Sequence, residues 1–428
     1  MKKLSLLLMT LLVTFFLSFS EEIKLNEQHN YFEITNKSLM EFSFVNNFSG
    51  LDAKLIKIKE GDFIKLFVNG YTANSDYGKA ELPELKKLFR IPSGAQVVLK
   101  IVNKEEQLIS LSDYGITLPI FPNQPSISKG DNAEDVPFIY DRDFYQINQF
   151  NENPIVRIDV LGKMRGQEMA RLNLSPFSYN PVTNEMKIIT KIEVKIVFKN
   201  AKYLEDINIR KKYFNPNFEH QFKQFVNYLP LPTKDVISTY PVKYVIIADP
   251  MFQTILQPFV EWKTKKGFEV VEGYTSDPNV GNTTTSIKAF IKNMYDNATV
   301  NDPAPSYVLL VGDDTQVPSF NGSTGTHLSD MYYCEMDGGG DFYPEMYYGR
   351  FSARIPEELT PQILKTMEYE QYTMPNPAYL DEVVMVAGVD ASMAPTYGNG
   401  QINYGTDNYF NLAHGITSYT YLYGSGSP

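Results

Sequence analysis

Residues 307–313, YVLLVGD, decide the fold of the second half of this chain. Tyr307-Val308-Leu309-Leu310-Val311 is an unbroken apolar run that stops on Gly312-Asp313. It is too short for a helix and lacks the polar alternation of a strand with one wet face, so it reads as a strand covered on both sides. Its surroundings follow the same grammar. KYVIIAD (243–249) is a second buried-type strand, and 251–266 has helical spacing with Phe252, Ile255, Phe259 and Trp262 on one side. Gly267 supplies a C-terminal stop. Residues 268–274 read as a strand and 285–297 as a helix carrying Ile287, Phe290, Ile291 and Met294. Further on, 359–372 reads as a helix, EVVMVAGVD (382–390) as a strand, 403–413 as a last helix and TSYTYLY (417–423) as a final strand. Strands and helices alternating over short connections predict a parallel sheet with right-handed crossovers.

Residues 22–199 are written differently. Ile192, Val194, Ile196 and Phe198 alternate with Lys191, Glu193, Lys195 and Val197, the period of a strand with one wet face. Residues 95–102 read as another strand, entered through Pro92-Ser93-Gly94, and Asn180-Pro181 marks a turn between two more. Helical periodicity is scarce, so an all-β sandwich or barrel is expected. Between the two grammars, 199–240 mixes basic and aromatic residues and ends on Leu229-Pro230-Leu231-Pro232. It reads as a connector, helical around 218–228, with Arg210-Lys211-Lys212 as a solvated basic cluster. The expected organisation is therefore a leader (1–20), a β-rich domain (21–200), a connector (201–240) and an α/β domain (241–428). As a class this is a multidomain α+β chain.

Composition restricts partners and address. A formal net charge of -11 argues against nucleic acid, whose phosphates would be repelled. Lys2 and Lys3 precede an apolar core over 4–17, and Ser18 and Ser20 place small residues before Glu21. That pattern predicts a secretory signal peptide cut after Ser20, since the core is short for a membrane span. No later segment is apolar for long enough to cross a bilayer, so a secreted or cell-surface protein is expected. Cys334 is the only cysteine and leaves no internal disulfide.

Functional groups of a parallel sheet gather at the carboxyl ends of its strands, where Asp249, Asp313, Asp314 and Asp390 fall. No phosphate-cradling glycine pattern follows a strand, which disfavours nucleotides. Nor does a Gly-x-Ser-x-Gly elbow, which disfavours a serine hydrolase. The densest constellation is SDMYYCEMDGGGDFYPEMYYGR (329–350), where Asp337, Asp341 and Glu345 recur every four residues around three glycines. A loop that can curl and offer carboxylates and carbonyls suits calcium, although it is not an EF-hand; an acidic hairpin turn is the alternative. Cys334 lies in an aromatic run and reads as a buried core thiol. His414-Gly415 reads as helix capping rather than as half of a catalytic pair.

These residues resemble the gingipain family of cysteine peptidases, a caspase-like group. The similarity runs in order through YVLLVGDDTQVP, Ser329-Asp330 with Tyr332, the Asp337-Gly338 turn, Asp341, Glu345 and Gly349-Arg350-Phe351-Ser352, with Glu261-Trp262-Lys263 and Gly267 earlier. Gly162, Arg165-Gly166 and Pro176-Phe177-Ser178-Tyr179-Asn180-Pro181 separately resemble the gingipain propeptide.

The resemblance implies a secreted precursor of a cysteine endopeptidase acting on proteins or peptides, with its own propeptide as inhibitor. It places the catalytic His and Cys after the strand at 417–423, so that no residue of this chain is assigned a catalytic role. It implies calcium in the loop with Gly338, Asp341, Tyr343 and Glu345. In arginine-specific members an Asp at the start of the last helix binds the substrate guanidinium; its nearest match here is Asn403, or by a small shift Asp407. An Asn cannot balance a desolvated cation, which disfavours arginine specificity. The alternative is a non-catalytic surface or binding protein that retains the peptidase fold.

Overall fold

The structure, a computed structural model, describes residues 20–127, 136–231, 241–299, 301–323, 327–338, 340–388, 394 and 398–424. The leader, apart from Ser20, lies outside the described residues, as does Asp390. Among the described residues no helix is long and apolar enough to cross a membrane.

The second half is built as its apolar runs require. Four parallel strands stand in the order Phe268–Tyr274, Val242–Ala248, Tyr307–Val311, Tyr347–Phe351. Because strand side chains alternate between faces, each central strand feeds two cores. Val245, Ile247, Val308 and Leu310 pack with Ile287, Ile291 and Tyr295 of the helix Thr284–Asp296. Ile246, Ala248, Leu309 and Val311 pack on the other side with Leu256 and Phe259 of the helix Gln253–Lys265 and Leu359 and Ile363 of Pro356–Gln371. Thr283 and Ser286 form a capping box that starts the first of these helices.

Among the described residues the sheet has four strands, fewer than the sequence pattern suggests. Glu382–Val386 and Thr417–Tyr421 pair in parallel with each other as a separate two-stranded unit. The helix joining them is Asn399–Asn408, not 403–413. The Asn411 side chain donates to the carbonyls of Thr406 and Asp407, which satisfies the last turn and stops it there.

The first half is a β-sandwich. Glu185–Lys199 is the central strand of one sheet, pairing with Glu41–Asn47, Gln96–Ser110 and Phe177–Asn180. Facing it, Pro83–Ile91, Gln167–Leu174 and Val156–Met164 form a second sheet, completed by Thr72–Ala73. Phe42, Phe44, Ile192, Val194 and Ile196 meet Phe89, Ala170 and Leu172 between the layers. The turn expected at Asn180-Pro181 is present, with the Asn180 side chain accepting from the N–H groups of Val182 and Thr183.

The connector is more ordered than its composition suggests. Helices Tyr203–Lys212 and Pro216–Phe222 lie in its first part, the second started by Asn215 as N-cap with Pro216 following. Arg210, expected in solvent, is buried and donates to the Leu229 carbonyl at 2.6 Å. Asp206 pairs with buried Arg90 at 2.5 Å, and Asn227 exchanges two hydrogen bonds with the Arg90 backbone. These buried polar groups, scattered through the sequence, fix the helices to the β-sandwich.

Candidate functional site

At the carboxyl ends of the strands, Arg350 organises the loops. Its Nε and Nη2 grip both oxygens of Asp330 at 2.8 and 2.7 Å. Its Nη1 donates to the carbonyls of Gly312 and Val317, and Nη2 also to the Ser319 hydroxyl. Every arm of the guanidinium is used, in the bidentate geometry that makes arginine hard to replace. Asp313, Asp314, Ser319, Ser329, Asp330 and Arg350 line a shallow cavity of about 190 Å³. Of the aspartates expected at these ends, Asp249, Asp313 and Asp314 are there, and the last two secure turns: Asp313 accepts from the Asp314 N–H, and Asp314 from the Ser319 N–H.

The acidic loop 335–345 lies at the opposite end, beside the start of Tyr347–Phe351. It does not stand open. Gly166 of the hairpin Val156–Met164/Gln167–Leu174 donates its N–H to Asp337, and Lys163 donates its N–H to Asp341 at 2.9 Å. Between them Arg165 is completely buried. Its Nε donates to the Tyr213 carbonyl at 2.9 Å, and Nη1 to the carbonyls of Pro305 and Glu345 at 2.9 and 2.8 Å. Its guanidinium lies over the Phe218 ring, 5.0 Å from the centroid. Burial lowers the Arg165 pKa, opposed by Tyr295, Asp337 and Glu345. Its basicity keeps the guanidinium charged even so.

Glu345 is buried, with one oxygen accepting from the Met336 N–H at 2.5 Å and the other without a partner among the described residues. Burial, with the nearby Asp337 charge, pushes its pKa up to about 8. A buried carboxylate oxygen with no donor calls for a proton, a water or an ion. The rest of the loop is less open to one. Asp341 spends its oxygens on the N–H groups of Lys163 and Tyr343, and no three His, Cys, Asp or Glu among the described residues are grouped to hold a metal. A cation placed here would have two carboxylates, Asp341 and Glu345, and the main-chain carbonyls around Gly338 and Tyr343 as donors, an oxygen set of the kind calcium rather than zinc takes.

The remaining candidates fall apart in space. Cys334 is wholly buried in the core beside Tyr333 and Met346, and burial, then Glu345, raises its thiol pKa far from reactivity. His414 is exposed in the turn Leu412–His414, its Nδ1 3.0 Å from the Asn411 side-chain oxygen, with Gly415 left-handed behind it at φ 73°. The last helix ends at Asn408, so His414 does not close it as the sequence pattern suggests; the short turn is capped by Gly415. Asn403 is exposed on the helix Asn399–Asn408, its carbonyl accepting from the Thr406 hydroxyl. The sequence pattern left Arg165 and Arg350 without roles. Their only signal was membership of motifs, because their partners lie far away along the chain.

Comparison with known proteins accounts for both halves. Residues 26–229 match the family Propeptide_C25, and residues 237–422 match Peptidase family C25. Lys-gingipain W83 of Porphyromonas gingivalis is 34% identical over 404 residues, 94% of this chain and 23% of that protein. Gingipain R1 of the same organism is 27% identical over 351 residues, 81% of this chain and 33% of that protein. The chain thus spans only 23% of the Lys-gingipains it matches. A solved structure concerned with the zymogenic latency of gingipain K is 32% identical, covering 43% of this chain and 100% of that one at a TM-score of 0.41. With a C25 propeptide through residue 229 and a C25 peptidase region from residue 237, this chain belongs to the gingipain family of cysteine peptidases.

Proposed function

We propose that the whole protein is an exported cysteine endopeptidase made as a latent precursor, and that these residues supply its propeptide and the first part of its peptidase domain. What carries the reading is the pairing, in one chain, of a C25 propeptide with a C25 peptidase region against which it is packed. The chemistry is thiolate attack on a peptide carbonyl, with a histidine base and backbone amides receiving the oxyanion. Nucleophile and base are assigned beyond the strand Thr417–Tyr421, not to Cys334 and His414, whose surroundings suit neither role. Asn403 is assigned to the substrate side-chain pocket. The greater identity to the Lys-gingipains than to gingipain R1 favours lysine rather than arginine before the scissile bond. One calcium ion, held by Asp341 and Glu345 with carbonyls near Gly338 and Tyr343, would neutralise a buried charge and stiffen the loop; it takes no part in the reaction.

The test uses the full-length protein after removal of the propeptide. Peptides with Lys before the cleaved bond should be hydrolysed faster than those with Arg, and Cys334→Ala should leave turnover unchanged. A protein that cleaves no member of a broad peptide library fails this reading. Turnover lost in Cys334→Ala would make that thiol the nucleophile and overturn the assignment.

A further inference from the structure

We propose that the tip of the hairpin Val156–Met164/Gln167–Leu174 is the anchor that keeps the propeptide on the peptidase region, with Arg165 as its positioning residue. The turn is two residues long, and both are left-handed, Arg165 at φ 49° and Gly166 at φ 71°. A non-glycine residue holds that conformation where surrounding contacts over-determine it. Here they do. Arg165 is completely buried, yet its acceptors belong to three other segments: Tyr213 of the propeptide's own helical tail, and Pro305 and Glu345 of the peptidase region. A single side chain therefore ties the β-sandwich, the tail and the base of the parallel sheet together.

The hairpin backbone closes the contact on either side. The N–H groups of Lys163 and Gly166 reach the carboxylates of Asp341 and Asp337, hydrogen bonds strengthened by the acceptors' charge. The approach leaves no room for a side chain: a Cβ on Gly162 would stand 2.6 Å from Asp341, and one on Gly166 2.5 Å from Ile209. The tail adds stacked rings, Tyr213 on Tyr295 and Phe218 on Tyr347, each pair 4.5 Å apart. None of these groups lies between residues 231 and 241. Cutting the chain there leaves the anchor untouched, so activation takes a second event that withdraws the hairpin.

The proposal rests on reading residues 26–229 as a propeptide, and its test reads association rather than hydrolysis, so the two can fail separately. A recognition sequence for a site-specific protease is placed between Thr233 and Lys234 of the full chain, the chain is cut, and the fragments are followed by gel filtration and by exchange with labelled propeptide. Wild type should elute as one species. Arg165→Met should raise the dissociation rate about a hundred-fold or more, as expected when a buried, hydrogen-bonded charge is removed from an interface. Arg165→Lys, which keeps the charge without the fork, should fall between, and Lys163→Ala, whose exposed side chain is unused, should match wild type. Wild-type fragments that separate on cutting, or an Arg165→Met chain that stays together as long as wild type, overturn the proposal. If Arg165→Met does not fold, hydrogen exchange in the uncut wild-type chain decides. The amides of Lys163 and Gly166 should exchange only with opening of the interface, and exchange at the rate of an open turn refutes the anchor.

Discussion

Two arginines stand at opposite ends of the parallel sheet, and they are held in opposite ways. Arg350 forks onto Asp330 and spends every arm within residues 312–350. Arg165 comes from the propeptide, finds only neutral carbonyls for its direct hydrogen bonds, and leaves Nη2 without a partner among the described residues. The first is a neutralised pair inside one folding unit. Removing either member strands the other, so that end of the sheet is fixed for good. The second can be undone: when the hairpin leaves, the guanidinium regains water and the carbonyls lose only a donor. Permanent scaffold and separable contact thus use the same side chain with different acceptors.

The sharpest way to break the comparison is to remove each arginine from the uncut chain. Arg350→Met should lower stability by about 3–5 kcal/mol, the usual consequence of unpairing a largely buried ion pair. Arg165→Met should cost clearly less in denaturant unfolding, because its loss is concentrated in the contact between regions. Equal effects in urea titrations of the two variants would erase the distinction.

Calcium should sharpen it from the other side. If Asp341 and Glu345 hold a cation, millimolar calcium should raise the melting temperature. The gain would be about 2.7 kcal/mol at a hundred times the dissociation constant. Asp341→Ala should abolish the rise, whereas an alanine at Asp314, at the far end of the sheet, should leave it intact. Identical melting curves with calcium and with chelator would return 335–345 to an acidic turn braced by the propeptide.

How much of this was legible in the sequence follows from the distance over which each feature is decided. Val308 to Val311 announce a strand with two covered faces because the evidence is the run itself, and Gly267 ends its helix where expected, at φ 92°. Helix ends made by side chains several residues away, such as Asn411, shifted the last helix by several positions. Arg165 was readable only as part of a motif. Its acceptors lie 48, 140 and 180 residues downstream, and no local period records such a contact. The basic run at Arg210 misled for the same reason: its charge suggested solvent, and only the folded chain brings the Leu229 carbonyl to it.

The smallest expected effect concerns an ion pair that resembles the Arg350 arrangement but has one more exposed partner, Lys266. Glu370, on the helix Pro356–Gln371, accepts from Lys263 at 2.6 Å, Lys266 at 3.0 Å and the Trp262 indole at 2.8 Å, joining two helices on one face of the sheet. Burial pushes its pKa up, but the hydrogen bonds from Lys263, Lys266 and Trp262 outweigh that and hold it below the ordinary glutamate value. A carboxylate whose pKa is depressed in the folded state adds stability above its unfolded pKa, and that stability is lost as pH falls through the folded one. Because the group is partly exposed, solvent screening limits the contribution to about 1 kcal/mol. Glu370→Gln should therefore be less stable than wild type by about that amount at pH 7, and the difference should close as pH falls below the ordinary glutamate value of 4.5. Urea titrations at pH 7 and near pH 3.5 measure both ends. A difference that persists unchanged at the lower pH would mean that the Glu370 charge contributes nothing and that the Lys263 ammonium is held by the Tyr244 and Phe259 rings instead.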